Sequence, residues 1–143
     1  MPESTTYLQC EVENNVLVLT VTRRQIEGED IAAVLKAELL QAVQQYDRQM
    51  VVLDLKNTRY VSSIAFWPLL ALKKYLAEKG GRLLLCGLTG PVQEIFNTTK
   101  MVSGSGSLNA PFDTAPDRQS AIARLSDPDQ TSAWHPPPEL KRP

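Results

Sequence analysis

The residues best placed to carry chemistry are two adjacent serines. In VVLDLKNTRYVSSIAFWPLL, residues 51–70, an apolar run ends at Asp54 and Leu55. A polar stretch follows, and Ser62 and Ser63 open a second apolar run. A hydroxyl at the start of a helix can accept hydrogen bonds from the free N–H groups there. The helix dipole favours an anion at the same end, so a phosphoryl group of about −2 charge would be tolerated within the domain. On a docking surface that dianion would exclude a partner. Spacing alone favours helix caps; a phosphorylation switch is the second reading.

Other constellations point away from catalysis. The single histidine, His135, lies in AWHPPP near the far end of the chain, and no Gly-x-Ser-x-Gly pattern surrounds Ser62 or Ser63. Asp54 has no second acid or base set by spacing to work with it, and reads as a solvated carboxylate at a strand end. SGSGS, residues 103–107, is glycine-rich but lacks the Lys-Ser/Thr ending of a phosphate loop, so it reads as a linker. Cys10 and Cys86 sit in apolar, strand-like segments and read as reduced core residues rather than a disulfide or a metal site. No catalytic residue, metal site or cofactor is expected.

Composition bounds the rest. The 143 residues are 43% hydrophobic and 22% charged, as in an ordinary globular protein. A net charge of −1 gives no footprint for nucleic acid or an anionic membrane. No apolar run is long enough to span a bilayer, and MPESTTYLQC lacks the basic and apolar regions of a signal peptide. A cytoplasmic location is expected.

The elements that must position the serines follow from periodicity. YLQCEVE and VLVLTVT, joined at Asn14 and Asn15, predict a β-hairpin over 7–22. IEGED breaks the pattern. Ile31, Val34, Leu35, Leu39, Ala42, Val43 and Tyr46 then keep helical spacing, with Asp30 as the expected N-cap. Residues 50–55 and 82–88 are short continuous apolar runs and predict strands buried on both faces. Between them an apolar helix runs to Gly80 and Gly81. GPVQEIF predicts a short helix with Pro91 in its first turn, APFDTA one more strand, and DRQSAIARL a last helix. Pro68 either kinks the helix or marks a later start to it. Phe66 and Trp67 are adjacent and cannot both face inward, so one is expected to be exposed as a candidate partner contact. The alternation predicts an α/β fold: a mixed sheet, hairpin plus parallel strands, packed against about four helices. Residues 127–143, rich in proline and without period, read as a flexible tail behind a domain over 1–126. The PPP at 136–138 has the composition of a polyproline ligand and equally of a disordered end.

The segment from Met50 to Thr99 resembles a STAS domain, the anti-sigma-factor-antagonist fold. That family's core is an apolar strand ending in Asp-Leu, a linker, Asp-Ser-Ser-Gly or a close variant, and an apolar helix. A Gly-Gly stop, another apolar strand and a short helix follow. The matching pieces here are VVLDLKNTRYV, SSIA, FWPLLALKKYLAEKGG, RLLLCGL and PVQEIF, and the flanking elements extend the resemblance over roughly residues 7 to 126. In the family, the serine or threonine after the motif aspartate is phosphorylated by a partner kinase that is also an anti-sigma factor. The resemblance puts that role on Ser63. Ser62 stands where the family has aspartate, which removes a carboxylate beside the acceptor. Ala65 stands where it has glycine, which adds a methyl group where a partner would come close.

The resemblance implies a non-catalytic interaction domain. It would bind an anti-sigma factor or serine-kinase-like protein through Ser62, Ser63, Ala65, Phe66 and Trp67, with phosphorylation of Ser63 as the candidate gate. The alternative is a constitutive subunit or regulator of a membrane transport system. A small-molecule or nucleotide-binding module ranks last. Association with a second copy is left open.

Overall fold

A computed structural model describes residues 7–99 and 112–126. SGSGS, and the tail with Trp134, His135 and PPP, lie outside the described residues. The chain opens with β1 (Leu8–Glu13) and β2 (Val16–Val21), antiparallel from Leu8 opposite Val21 to Glu13 opposite Val16. Asn14 and Asn15 both adopt positive φ, 54° and 66°, as a two-residue hairpin turn of the twist-matched kind requires. Next come β3 (Gln25–Ile26), α1 (Glu29–Tyr46), β4 (Met50–Asp54), β5 (Tyr60–Val61) and a 3-10 turn, Ser63–Ala65. The chain then continues through α2 (Phe66–Glu78), β6 (Arg82–Cys86), α3 (Gly90–Thr98), β7 (Asp113–Ala115) and α4 (Arg118–Ser126).

The main sheet has the order β1-β2-β4-β6-β7, with every pair after the hairpin parallel. Its central strands are apolar at successive positions because both faces are covered. Leu17, Leu19, Leu53 and Leu85 pack with Leu35, Leu39, Leu69, Leu72 and Phe96 of α1, α2 and α3. The alternate residues Val16, Val18, Val52, Leu84 and Cys86 pack with Ala121, Ile122 and Leu125 of α4 on the other face.

Two starts and one stop differ from or sharpen the sequence expectation. Asp30 is not the cap of α1. Gly28 is, with φ 91°, and its carbonyl accepts the Ala32 N–H at 3.1 Å. Glu29 and Asp30 instead lie in the first turn, where the helix dipole favours carboxylates. Pro68 does not kink α2. The regular helix begins at Phe66, so Pro68 falls in the first turn, where its missing N–H would have no intrahelical partner. At the other end the Gly81 N–H reaches the Leu76 carbonyl at 2.8 Å and the Gly80 N–H reaches that of Ala77 at 3.1 Å, closing the helix with Gly80 at φ 78°. A Cβ on Gly81 would collide with the Gln49 carbonyl, which accepts the Arg82 N–H at 3.0 Å.

A second sheet of two strands was not anticipated. β3 and β5 pair in parallel, Gln25 with Tyr60 and Ile26 with Val61. Two residues are too short to show a period, so neither IEGED nor KNTRYV signals a strand.

Candidate functional site

The loop from β4 to α2 is fixed at both ends before it presents the serines. At its start, Asp54 is 2% exposed, so it is not the solvated strand-end carboxylate that spacing suggested. Its Oδ1 accepts the Lys56 N–H at 2.9 Å, and its Oδ2 lies 3.9 Å from Arg118 Nε. The position of Gly87 is tied to this carboxylate: φ is 70°, and a Cβ there would run into Asp54 Oδ1. Midway, Thr58 is fully buried; its hydroxyl donates to the Arg23 carbonyl at 2.8 Å, and its own carbonyl accepts the Thr89 hydroxyl at 3.1 Å. At its end the Ser62 N–H donates to the Ile26 carbonyl at 3.0 Å, continuing the β3–β5 pairing.

Arg118 joins this arrangement to the rest of the sheet. It reaches Glu11 of β1 at 2.9 Å and the Thr20 hydroxyl of β2 at 3.1 Å, besides Asp54 of β4. Arg118→Ala would take the guanidinium away from the buried Asp54 carboxylate, whose Oδ1 would keep the Lys56 N–H. The expected cost is about 1–3 kcal/mol by urea unfolding. Glu11→Gln, which removes only the more exposed arm, should cost under about 1 kcal/mol.

Burial by the sheet and α4 pushes the Cys86 thiol up to about 12, with the nearby Asp54 carboxylate adding to the effect. The unfolded thiol ionises near 9.0, so between these values the folded state holds a proton that the unfolded state has lost. Stability from this group is complete below pH 9.0 and declines up to about pH 12. Cys86→Ala should flatten that part of the alkaline unfolding profile, and iodoacetamide should label Cys86 only after unfolding.

Neither serine acts as a side-chain cap. Ser62 precedes the 3-10 turn with extended backbone (φ −95°, ψ 169°), and its carbonyl, not its hydroxyl, accepts the Ala65 N–H at 2.9 Å. Ser62 Oγ is buried and has no hydrogen-bond partner among the described residues. Ser63 is exposed. The two hydroxyls therefore differ in access, which their adjacency in sequence could not reveal.

The aromatic pair divides as its spacing requires. Phe66 is 4% exposed and meets Phe96 edge-on, ring centroids 4.9 Å apart. Trp67 is 45% exposed. Ala65, at 1% exposure, belongs to the core, so its methyl group is not on the surface a partner would meet. What remains accessible is Ser63 and Trp67, with Ser62 and Ile64 half-buried. One turn further along α2, Leu70 continues the exposed apolar strip.

Residues of α1 that spacing did not single out as partner contacts complete the surface. Trp67 and Ile64 line a groove of about 500 Å³ together with Glu29, Asp30 and Ala33. Lys36 Nζ stands 5.0 Å from the Trp67 ring centre, within cation–π reach. No local signal could have found these partners, because α1 and α2 meet only through the fold. Among the described residues, no group of three or more His, Cys, Asp or Glu could hold a metal ion, and no helix is long and apolar enough to cross a membrane.

The family profile of the STAS domain matches residues 7–114. An anti-sigma F factor antagonist of Paenibacillus polymyxa is 26% identical over 90 residues, 63% of this chain and 77% of that protein. Among solved structures, the anti-sigma factor antagonist SpoIIAA in its unphosphorylated form aligns with a TM-score of 0.62 at 18% identity, over 82% of this chain and 95% of that one. The phosphorylated form of SpoIIAA, a Bacillus cell fate determinant, aligns at 0.56 and 18% identity, over 82% and 98%.

Proposed function

The chain belongs to the STAS domain family, and on that premise we propose that it is a non-catalytic, cytoplasmic interaction domain of the anti-sigma-factor-antagonist type. It binds a kinase-like anti-sigma factor through Ser63, Trp67 and the groove beside them, and phosphorylation of Ser63 releases that partner. The observation that carries this reading is the contrast at the turn: Ser63 is exposed beside an exposed Trp67, while the Ser62 hydroxyl is buried. A hydroxyl that receives phosphate in another protein's active site needs access and no base of its own. The name of the Paenibacillus relative and the capture of SpoIIAA in a phosphorylated form support the reading by likeness.

A dianion on Ser63 would sit on the surface to be desolvated, next to a groove whose rim already carries Glu29 and Asp30. Burying it without a paired cation is costly. Within the domain the same charge stands near the start of α2, where it is tolerated.

The second reading, a constitutive subunit of a transport system, is favoured by Ser62 alone, which leaves Ser63 without the carboxylate neighbour of the family motif. Co-purification of partners on wild-type and Trp67→Ala bait decides between the two. The first reading expects a kinase-like anti-sigma factor, lost with Trp67→Ala. A transport component retained by both would replace it with the second.

A further inference from the structure

The loops that follow β2 and β4 carry cations that the serine turn does not use. Their backbones are clamped together: the N–H groups of Arg59 and Tyr60 both donate to the Arg24 carbonyl, at 2.7 and 3.1 Å. The buried Thr58 bond to Arg23 and the pairing of Gln25 with Tyr60 lock the same contact. Arg24, Lys56 and Arg59 are all exposed, and among the described residues none of them makes an ion pair. Arg23 is different: its guanidinium lies 4.9 Å from the Tyr7 ring centre and donates to the Gln25 carbonyl at 3.0 Å. Tyr60, 42% exposed, follows Arg59 and adds an apolar face to the same segment.

Hydrogen-bonded backbone thus sets Arg24 beside Arg59, three positions after Lys56, on a chain whose net charge is −1. Such crowding is unfavourable alone and favourable once an anion is bound. We propose that Arg24, Lys56 and Arg59, with Tyr60 next to Arg59, form a docking surface for an acidic segment of a partner protein.

Charge complementarity selects that occupant. Carboxylates spaced along a peptide match cations spread over two loops, and an apolar side chain of the same peptide would cover Tyr60. The cleft beside Lys56 is also lined by Asp54, Asp117 and Arg118, so its charges balance and offer a lone phosphate no net cation. A nucleic acid would need a longer basic track than three side chains provide. The proposal does not depend on modification of Ser63.

The test is an anisotropy titration of the full chain with a fluorescein-labelled peptide of Glu, Asp and Leu, against a control peptide of Gln, Asn and Leu. The acidic peptide should bind and the control should not, with affinity falling as salt is raised. Arg24→Ala with Arg59→Ala should weaken binding about tenfold or more, and Arg24→Glu with Arg59→Glu should remove it. The backbone makes the clamp, so these variants should keep the melting temperature; Lys56→Gln with Arg59→Gln is the second pair if they do not. Ser63→Glu should bind the acidic peptide within about twofold of the unmodified chain, as independent sites do, which separates failure here from failure of the serine reading. Equal binding of the two peptides, or full binding by a folded Arg24→Ala, Arg59→Ala variant, would overturn the proposal. So would displacement of the peptide by inorganic phosphate or a short DNA duplex with higher affinity at the same residues.

Discussion

Ser63→Glu should release the kinase-like partner while leaving the domain folded. Truncating or mispairing a charge at a desolvated interface costs about 2–5 kcal/mol, so affinity should fall by roughly thirtyfold to several thousandfold. The domain itself should keep its melting temperature, because a carboxylate near the start of α2 faces the positive end of the helix dipole. Ser63→Ala should bind as the unmodified chain does and should lose little stability, since the Ser63 side chain caps no helix. Ser62→Ala removes a buried hydroxyl that has no partner among the described residues, so it too should be close to neutral for folding. Isothermal titration of the four proteins against the partner, with thermal melts of each, checks all of this.

Phe96→Ala should be the most destabilising single truncation near the site. Phe96 is fully buried on α3 and holds two rings at once, Phe66 at 4.9 Å and Phe112 at 6.2 Å between centroids. Removing a buried phenyl ring costs about 3–5 kcal/mol, the sum of lost transfer energy and a cavity that neighbours only partly fill. The effect should reach function, because Phe66 is the first residue of α2 and borders Trp67. Partner affinity should fall at temperatures where the variant is still folded. Trp67→Ala gives the opposite pattern, weak binding with little change in stability, because its ring is largely at the surface. Urea unfolding measured beside the binding assay separates the two.

How much of this was legible beforehand depended on the length of each signal. The hairpin, the two central strands and the helices over residues 29–46 and 66–78 repeat their pattern often enough to read, and Asn14-Asn15 marks its turn by residue type alone. β3 and β5 are two residues each and carry no period, yet their pairing is what ties Ser62 to Ile26. The start of α1 was misplaced because Asp30 has the chemistry of a cap, while Gly28 provides the positive φ that the entry uses. Asp54 looked like a strand-end carboxylate exposed to water. It is buried, and the cation beside it, Arg118, lies 64 positions later and is invisible to local reading. At the serine turn, adjacency identified both hydroxyls, but only the extended backbone of Ser62 and the 3-10 turn after it determine which one faces out. The groove of Glu29, Asp30 and Ala33 beside Trp67, and Lys36 near its ring, join two helices that share no motif.

The most direct test of the central claim is the site of phosphate transfer. The chain would be incubated with ATP and the kinase-like anti-sigma factor that co-purifies with it, then digested and mapped by tandem mass spectrometry. The account predicts one phosphoryl group, on Ser63 and not on Ser62, and release of the modified chain from the complex. A phosphoryl group on Ser62 or elsewhere, or a phosphorylated Ser63 that leaves the complex intact, would contradict it.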